Sequence, residues 1–417
     1  MPTAAPHPRP FDARTDAVLR QLADSGQFKH LQMLTGPMDA AVRIRGQDGR
    51  EREYLCFCSN NYLGLANDPR VVQAGIDGLK KHGAGTASVR FICGTFTAHE
   101  QLEATISRYM GTESAYSFVS CWTANEAIYP TFAEPGDCII SDELNHACII
   151  DGIRLAAVIK KGVVKTVYKH ADLASLREKL EAARANPDVS GQIWVVTDGV
   201  FSMEGAVADL PAIRRLCDEF DAMLIVDDSH GHGVMGPMGR GTHEHFGMLP
   251  GAPNADPAAG TVDFFTGTLG KALGGAAGGF IAGSKRGIDL IVQRGRPTLF
   301  SNALPCTVAC SARKAIEILL DEPERVQKLR RNVQNARSRL KAAGFDVLDS
   351  PTAICPIIVG ETAKAIAMSK RLMELGVFVI GFGYPVVPEG TARLRIQISA
   401  AHTDEHIERL VDAVRKL

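Results

Sequence analysis

Between about residue 83 and residue 300, short apolar runs alternate with longer amphipathic stretches. The runs are Cys138–Ile140, Ile193–Val196, Met223–Val226, Val262–Phe265 (broken only by Asp263) and Phe280–Ala282. Runs this short, with little polar alternation, fit strands buried on both faces. The stretches between them carry helical spacing. One spans Asp172 to Ala183. Another starts at Leu210-Pro211, with Ile213, Leu216 and Phe220 on one face behind an Asp209 cap. Buried strands between amphipathic helices predict an α/β fold with a largely parallel sheet covered on both sides. Ligands of such sheets gather beyond the carboxyl ends of the strands. Those ends read Ser141-Asp142, Thr197-Asp198, Asp227-Asp228 and Thr266-Gly267-Thr268, and polar residues concentrate there.

The flanks have a different texture. Residues 1–65 read as an N-terminal arm, with short strands at Arg43–Arg45 and Glu53–Cys58 around a turn at Gln47-Asp48-Gly49. The first clear helix starts at Asn67-Asp68-Pro69, an N-cap followed by proline at N1. Val72, Ile76 and Leu79 form its apolar stripe and Gly83 ends it. After residue 300 come a helix-rich stretch from Cys306 to Ala343, a short run Phe345–Leu348, a helix Thr362–Gly376, a run Val377–Ile380 and a last helix. Thr403 caps that helix, and Ile407, Leu410, Val411 and Val414 mark its buried side. The expected division is an arm over 1–65, an α/β domain over 66–300 and a smaller α+β domain over 301–417.

Composition narrows the choice of partners. The chain has 417 residues, 45% of them hydrophobic and 22% charged, and a formal net charge of -1. That balance argues against a nucleic-acid or membrane-surface partner. No apolar run approaches the roughly 18 residues of a membrane span. The stretch MPTAAPHPRPFDARTDAV has no apolar core and reads as a leader without order, not as a signal. Ten scattered cysteines, none in zinc spacing, fit a reducing, cytoplasmic setting. Gly231, Gly233 and Gly236 match G-x-G-x-x-G, but four polar residues separate them from the strand and no helix follows at once, so they read as a loop. His230-x-His232 and His243-Glu-His245 lack a third ligand, and no metal site is expected.

The candidate chemistry lies at two strand ends. Lys271 closes Thr266-Gly-Thr-Leu-Gly-Lys and enters the segment Leu273-Gly-Gly-Ala-Ala-Gly-Gly279. A lysine among such small neighbours suits imine formation with a carbonyl carbon, because nothing bulky blocks its amine. Asp227 follows five apolar residues, where a buried carboxylate needs a cationic partner. His230 stands three residues on, and His146 lies in Asp142-Glu-Leu-Asn-His-Ala, where a flat imidazole can stack on a ring. Together these residues point to pyridoxal phosphate (PLP), with Asp227 holding the pyridine nitrogen protonated.

Seven segments extend the argument: FCSNNYLGLAN, ASVRFICGT, LNHACIIDGIRL, TDGVFSMEG, TGTLGKALGG, RPxLFSNAL and YPVVPEGTARLR. From about residue 25 onward the chain resembles the α-oxoamine synthases. These are PLP enzymes of fold type I that join an amino acid to an acyl-CoA. It is nearest to their glycine C-acetyltransferase branch. The resemblance implies a large, mainly parallel PLP domain, a smaller α+β domain and an N-terminal arm. It implies that Lys271 holds the cofactor and then accepts and returns a proton, that Asp227 pairs with the pyridine nitrogen and that His146 stacks on the ring. His230 and Ser202 would contact the phenolic oxygen. The amides of Cys121 and Trp122, the Thr268 hydroxyl, and Ser301 and Asn302 from a partner subunit would hold the phosphate. Asn60 and Arg395 would bind the amino-acid carboxylate, and Ser88 lies in the segment that lines that pocket. The implied reaction condenses glycine with acetyl-CoA in a homodimer with shared sites, with His230 also serving the thioester oxyanion. The alternatives are a synthase of specialised metabolism with another amino acid or longer acyl-CoA, a non-catalytic synthase subunit, and a PLP lyase or transaldolase. The chain departs from the family at Trp122, Glu126, His232, Gly383 and Ala303. Gly383, in place of an aromatic, is expected to widen the pocket, so that propionyl- or butyryl-CoA competes well.

Overall fold

In the computed structural model, which describes residues 9–25, 27–384 and 386–417, the apolar runs are strands of one central sheet. In chain order the strands are β1 (Met33–Leu34), β2 (Ala41–Arg45), β3 (Glu51–Cys56), β4 (Ser114–Phe118), β5 (Cys138–Asp142), β6 (Val164–Tyr168) and β7 (Ile193–Asp198). They continue with β8 (Ala222–Asp227), β9 (Phe264–Thr268), β10 (Gly279–Gly283), β11 (Ile354–Gly360), β12 (Val377–Phe378), β13 (Ile380–Phe382) and β14 (Ala392–Gln397). The central sheet runs β4-β10-β9-β8-β7-β5-β6. The last five are mutually parallel, and β10 is antiparallel to both β4 and β9. Two of these strands carry no continuous apolar run. β6, Val-Lys-Thr-Val-Tyr, is an edge strand with alternating burial. β4, Ser-Ala-Tyr-Ser-Phe, carries two serines among its five residues, though nearly all of it is buried. The expected run Val262–Phe265 starts later, at Phe264, because Asp263 is taken up in accepting from Arg214 Nη1 and the Leu224 amide, each at 2.7 Å.

The helices that flank the sheet are α1 (Pro10–Asp24), α2 (Pro69–His82), α3 (Thr97–Met110), α4 (Cys121–Phe132), α5 (Ala147–Ile159), α6 (Leu173–Ala185) and α7 (Leu210–Glu219). Asp68, Asp172, Asp209 and Thr403 each cap a helix as expected, accepting a backbone N–H from its first turn. Two expectations change. Part of the leader is α1, a helix with no buried residue; the first eight residues lie outside the described ones. On α2 the stripe Val72, Ile76 and Leu79 stays 40–46% exposed, and the packed face is Val71, Gly75 and Gly78. That face lies on the helix Cys306–Asp321, where Thr307 and Ser311 donate to the carbonyls of Gly75 and Val71. A methyl group at Gly75 or Gly78 would run into Ser311 or Cys310, so the two glycines set the close approach.

The N-terminal and C-terminal segments share a sheet, β1-β2-β3-β12, in which β12 pairs with β3 in parallel. A third sheet is β11-β14-β13. Phe345–Leu348 forms no strand and contributes one isolated bridge, Val347 to Ile357. The segments after β3 and after β14 run together. Gln397 donates to the Phe57 carbonyl at 2.8 Å, Ala400 to that of Tyr62 at 2.7 Å, and the Ser399 hydroxyl to that of Asn61 at 2.7 Å. His402 fastens them. Its Nδ1 accepts the Ser399 amide at 3.0 Å, its Nε2 donates to the Cys56 carbonyl at 3.0 Å, and its ring stacks on Phe57 at 4.1 Å.

That bonding needs a neutral ring, and burial pushes the His402 pKa down from 6.5 to about 4. A folded pKa below the unfolded one gives stability that is present above pH 6.5 and is lost as pH falls toward about 4. We expect the advantage of the wild type over His402→Gln in urea melts to shrink by about 3 kcal/mol between about pH 7 and pH 4. An advantage that stays constant or grows on acidification would show that the ring is not held neutral.

Candidate active site

Beyond the carboxyl ends of β7, β8 and β9 lies a cavity of about 250 Å³. That is slightly below the roughly 300–1,000 Å³ of pockets for drug-sized ligands and leaves room for one substituted ring. Lys271 enters it from the turn after β9, and its Nζ stands 2.9 Å from Nε2 of His230. Burial lowers the lysine pKa from its ordinary value, and the charge of Asp227 opposes part of that fall. Burial also pushes the His230 pKa well down, helped by the charges of Lys271 and Arg395. The imidazole is therefore neutral at ordinary pH.

Asp227 ends β8 at the wall of the same cavity. Its Oδ2 accepts from Asn125 Nδ2 at 2.8 Å, Thr266 Oγ1 at 2.8 Å and the Cys121 thiol at 3.3 Å. Its Oδ1 accepts from the Ser229 amide at 3.0 Å. Burial alone would raise its pKa, but the donors from Ser229, Asn125 and Thr266 and the charge of Lys271 outweigh burial and hold it at about 2. The cavity therefore contains a carboxylate that stays ionised and an amine that gives up its proton more easily than an ordinary lysine.

His146 caps α5, with its Nδ1 accepting the Cys148 amide at 3.2 Å and its own amide donating to Asp198 at 2.9 Å. Burial lowers its pKa as well. The edge of Trp122 meets its ring at 6.2 Å. On another side α4 begins, capped by Ser120, and Cys121 and Trp122 hold the first amides of the helix. Such amides have no acceptor within the helix and favour an anion. Thr268 is beside them, because Ser120 bridges to Gly278 and the Thr268 hydroxyl donates to the Gly278 carbonyl at 3.3 Å.

Arg395, on β14, is buried and donates through Nε to the carbonyl of Ser202 at 2.6 Å, while its Nη2 has no partner among the described residues. A buried guanidinium nitrogen with no acceptor suits a ligand carboxylate. Asn60 is close by and accepts from Gln397 Nε2 at 2.5 Å. The donor set, an anion cradle, an ionised carboxylate, a low-pKa amine and a free guanidinium arm, fits a flat phosphorylated aldehyde together with an amino acid.

The structure thus brings Lys271, Asp227, His230, His146, Ser202, Cys121, Trp122 and Thr268 to one cavity, with Arg395 and Asn60 near it. Ser88, Ser301 and Asn302 do not line it. They lie together elsewhere, joined by the bridge Val89–Asn302 and the bond from the Ala303 amide to the Ser88 carbonyl, with Phe91, Ile92 and Phe300 60–72% exposed. Sequence reasoning missed Asn125, Thr266, Tyr62 and Gln397. Asn125 had a usable signal: it is one helical turn after Cys121, on the face turned to β8.

Two departures from the family lie outside the cavity lining. His232 is buried behind β9, between Tyr109 and Phe280 and against Gly267, and does not line the cavity. Gly383 faces Thr362, and any side chain there would overlap the threonine methyl and hydroxyl. The space of a missing aromatic is already filled, so Gly383 widens no acyl pocket.

Gly279 tests the close approach that builds the anion cradle. A methyl group there would overlap the backbone of Cys121, whereas one at Gly85 meets nothing within 4 Å. Gly279→Ala should cost about 1–3 kcal/mol in denaturant melts, and Gly85→Ala should stay within about 0.5 kcal/mol. Equal effects would mean that the β10–α4 contact yields freely.

Comparison with known proteins identifies the family. Residues 52–414 match the model of the family described as aminotransferase class I and II. The mouse mitochondrial 2-amino-3-ketobutyrate coenzyme A ligase (Mus musculus) is 41% identical over 398 residues, covering 95% of this chain and 90% of that protein. The 8-amino-7-oxononanoate synthase of Alkaliphilus oremlandii is 40% identical over 399 residues, covering 96% and 95%. The solved structure of SPT with PLP internal aldimine superposes with a TM-score of 0.86 at 28% identity, covering 97% of this chain and 96% of that one. The chain belongs to the aminotransferase class I and II family and, within it, stands with the α-oxoamine synthases that its motifs resemble.

Proposed function

We propose that this chain is a PLP-dependent C-acyltransferase that joins glycine to acetyl-CoA or another short acyl-CoA and releases CoA. The observation that carries the reading is Lys271, its amine inside a cavity that also holds a carboxylate kept ionised and the start of a helix. The likeness to 2-amino-3-ketobutyrate coenzyme A ligase supplies the substrate pair, with 2-amino-3-ketobutyrate as the product.

When bound, PLP would supply an electron sink next to the amino acid's α-carbon. The chain's own residues do the rest. Asp227 holds a proton on the ring nitrogen, which its low pKa equips it to do. The first amides of α4 at Cys121 and Trp122, with the Thr268 hydroxyl, hold the phosphate. His146, which lines the same cavity, would lie against one face of the ring. The free Nη2 of Arg395, with Asn60 beside it, binds the amino-acid carboxylate and sets the α-carbon near Lys271. Nζ of Lys271 accepts the α-proton and later returns one. A carbon–carbon bond forms between that α-carbon and the thioester carbonyl, and the carbon–sulfur bond breaks. His230 donates to the carbonyl oxygen as negative charge develops there.

The homodimer belongs to the same reading. Its support is that Ser301 and Asn302, with Ser88, lie away from their own chain's cavity beside exposed apolar side chains. The bare stripe on α2 and the unburied helix α1 add more uncovered apolar surface. A cytoplasmic location fits ten free thiols, and no described helix is long and apolar enough to cross a membrane.

Purified protein should be yellow with PLP and lose its visible band on borohydride reduction. Glycine with acetyl-CoA should release free thiol, and Lys271→Ala should lower that rate by at least about 10³-fold while PLP still binds weakly. Turnover of β-hydroxy amino acids with no thiol release would favour the lyase alternative. A protein that takes up no PLP would defeat the reading.

Sedimentation should find a dimer at assay concentration. Asn302→Ala with Lys271→Ala, mixed as two inactive homodimers, should regain part of the activity as heterodimers form with one intact site. Full activity in a sedimenting monomer would refute the shared site.

A further inference from the structure

A chain of hydrogen bonds runs from Lys271 back into the protein. His230 Nε2 stands 2.9 Å from Lys271 Nζ, and His230 Nδ1 stands 2.8 Å from the Tyr62 hydroxyl. Tyr62 is buried in the segment after β3. Its oxygen accepts from Gln397 Nε2 at 2.9 Å, and the same amide nitrogen donates to Asn60 Oδ1 at 2.5 Å. The charge of Arg395, also close to Tyr62, favours that oxygen as an acceptor.

The polarity of the chain follows from counting protons. A phenol has one hydrogen to give. With its oxygen already accepting from Gln397, Tyr62 can give that hydrogen to His230 at 2.8 Å or to Asn60 at 3.4 Å. The shorter bond wins. Nδ1 of His230 is then an acceptor. A neutral imidazole carries one N–H, so the hydrogen sits on Nε2, the nitrogen that faces the cavity; across the 2.9 Å contact the neutral Lys271 amine, the form that makes an imine, accepts it through its lone pair.

We infer that Tyr62, oriented by Gln397, is a positioning residue that holds His230 in the tautomer with its N–H on Nε2, so that a donor and not a lone pair faces the reacting groups. The inference rests on the proposed acyl transfer, in which an oxygen gains negative charge beside His230. With the opposite tautomer a lone pair would meet that oxygen and repel it. Gln397 reaches Asn60 as well, so one amide ties the carboxylate-binding side of the site to the donor on the other side.

Two variants separate this role from plain packing. Tyr62→Phe keeps the ring and removes the hydroxyl. Gln397→Glu keeps the shape but turns a donor into an acceptor, so Tyr62 gives its hydrogen to residue 397 and presents a lone pair to Nδ1. The first readout is the imidazole ¹⁵N spectrum of histidine-labelled, PLP-loaded protein, with the His230 signals assigned by their loss in His230→Gln. The wild type should show N–H at Nε2, Tyr62→Phe a mixture, and Gln397→Glu the hydrogen on Nδ1. The second readout is kinetic. Tyr62→Phe should lower kcat for thiol release by about 10²-fold, with KM for glycine little changed. A wild type with N–H on Nδ1, or two variants with unchanged spectra, would overturn the inference even with the acyl transfer intact. A wild-type protein that binds PLP and releases no thiol would instead defeat the proposed function, and the spectra would still report the tautomer.

Discussion

A buried carboxylate that must stay ionised is the constraint on which this site depends. Asp227 meets it with donors drawn from three elements: the Ser229 amide just past β8, Asn125 on α4 and Thr266 on β9. The register of β9 against β8 and the seat of α4 on the sheet are therefore fixed at one point. Its neighbour Asp228 shows what happens without such a set. One oxygen accepts the Thr242 amide at 2.6 Å, the other has no partner among the described residues, and burial raises its pKa to about 8. Two adjacent carboxyls, both buried, reach opposite states because Asp227 has more donors and the Lys271 charge beside it, while Asp228 faces the charge of Asp227.

The other side of the site comes from parts of the chain far apart in sequence. Asn60 and Tyr62 follow β3, and Arg395 and Gln397 end β14. Backbone bonds between these segments, with Ser399 and His402, hold the two strips in register. The N-terminal arm thereby brings Asn60 and Tyr62 beside the cavity, where they bond to Gln397 and His230.

Much of this was legible in the sequence, and the reason differs from element to element. Strands buried on both faces leave continuous apolar runs, so β5, β7, β8 and β10 could be read directly. Their polar carboxyl ends pointed to Asp227 and Lys271. β6 was illegible because one face of an edge strand is solvated. β14, Ala-Arg-Leu-Arg-Ile-Gln, was illegible because it buries its arginines and glutamine, and charge patterning says nothing about a strand that carries its polar residues inward. The stripe on α2 misled for a related reason. Apolar spacing marks a face that avoids water, but it does not say whether the cover comes from the same chain. The face that packs at home is Val71 with two glycines, Gly75 and Gly78, which no hydropathy pattern marks.

The departures from the family are resolved locally, and this bears on substrate size. Trp122 and Glu126 are two departures with one explanation. They are one helical turn apart, and the indole N–H donates to the Glu126 carboxylate at 2.9 Å. The glutamate thereby holds the larger ring at the cavity's rim, edge-on to His146. His232 takes the space beside Gly267, behind the sheet. Gly383 gives its space to Thr362. Each change in bulk is met by a neighbour in the same chain, and none of the three enlarges the cavity around Lys271. An acyl pocket widened by the loss of an aromatic therefore has no structural basis. What distinguishes this chain at the cavity is a partly exposed indole in the lining, pinned by the carboxylate one turn along its helix.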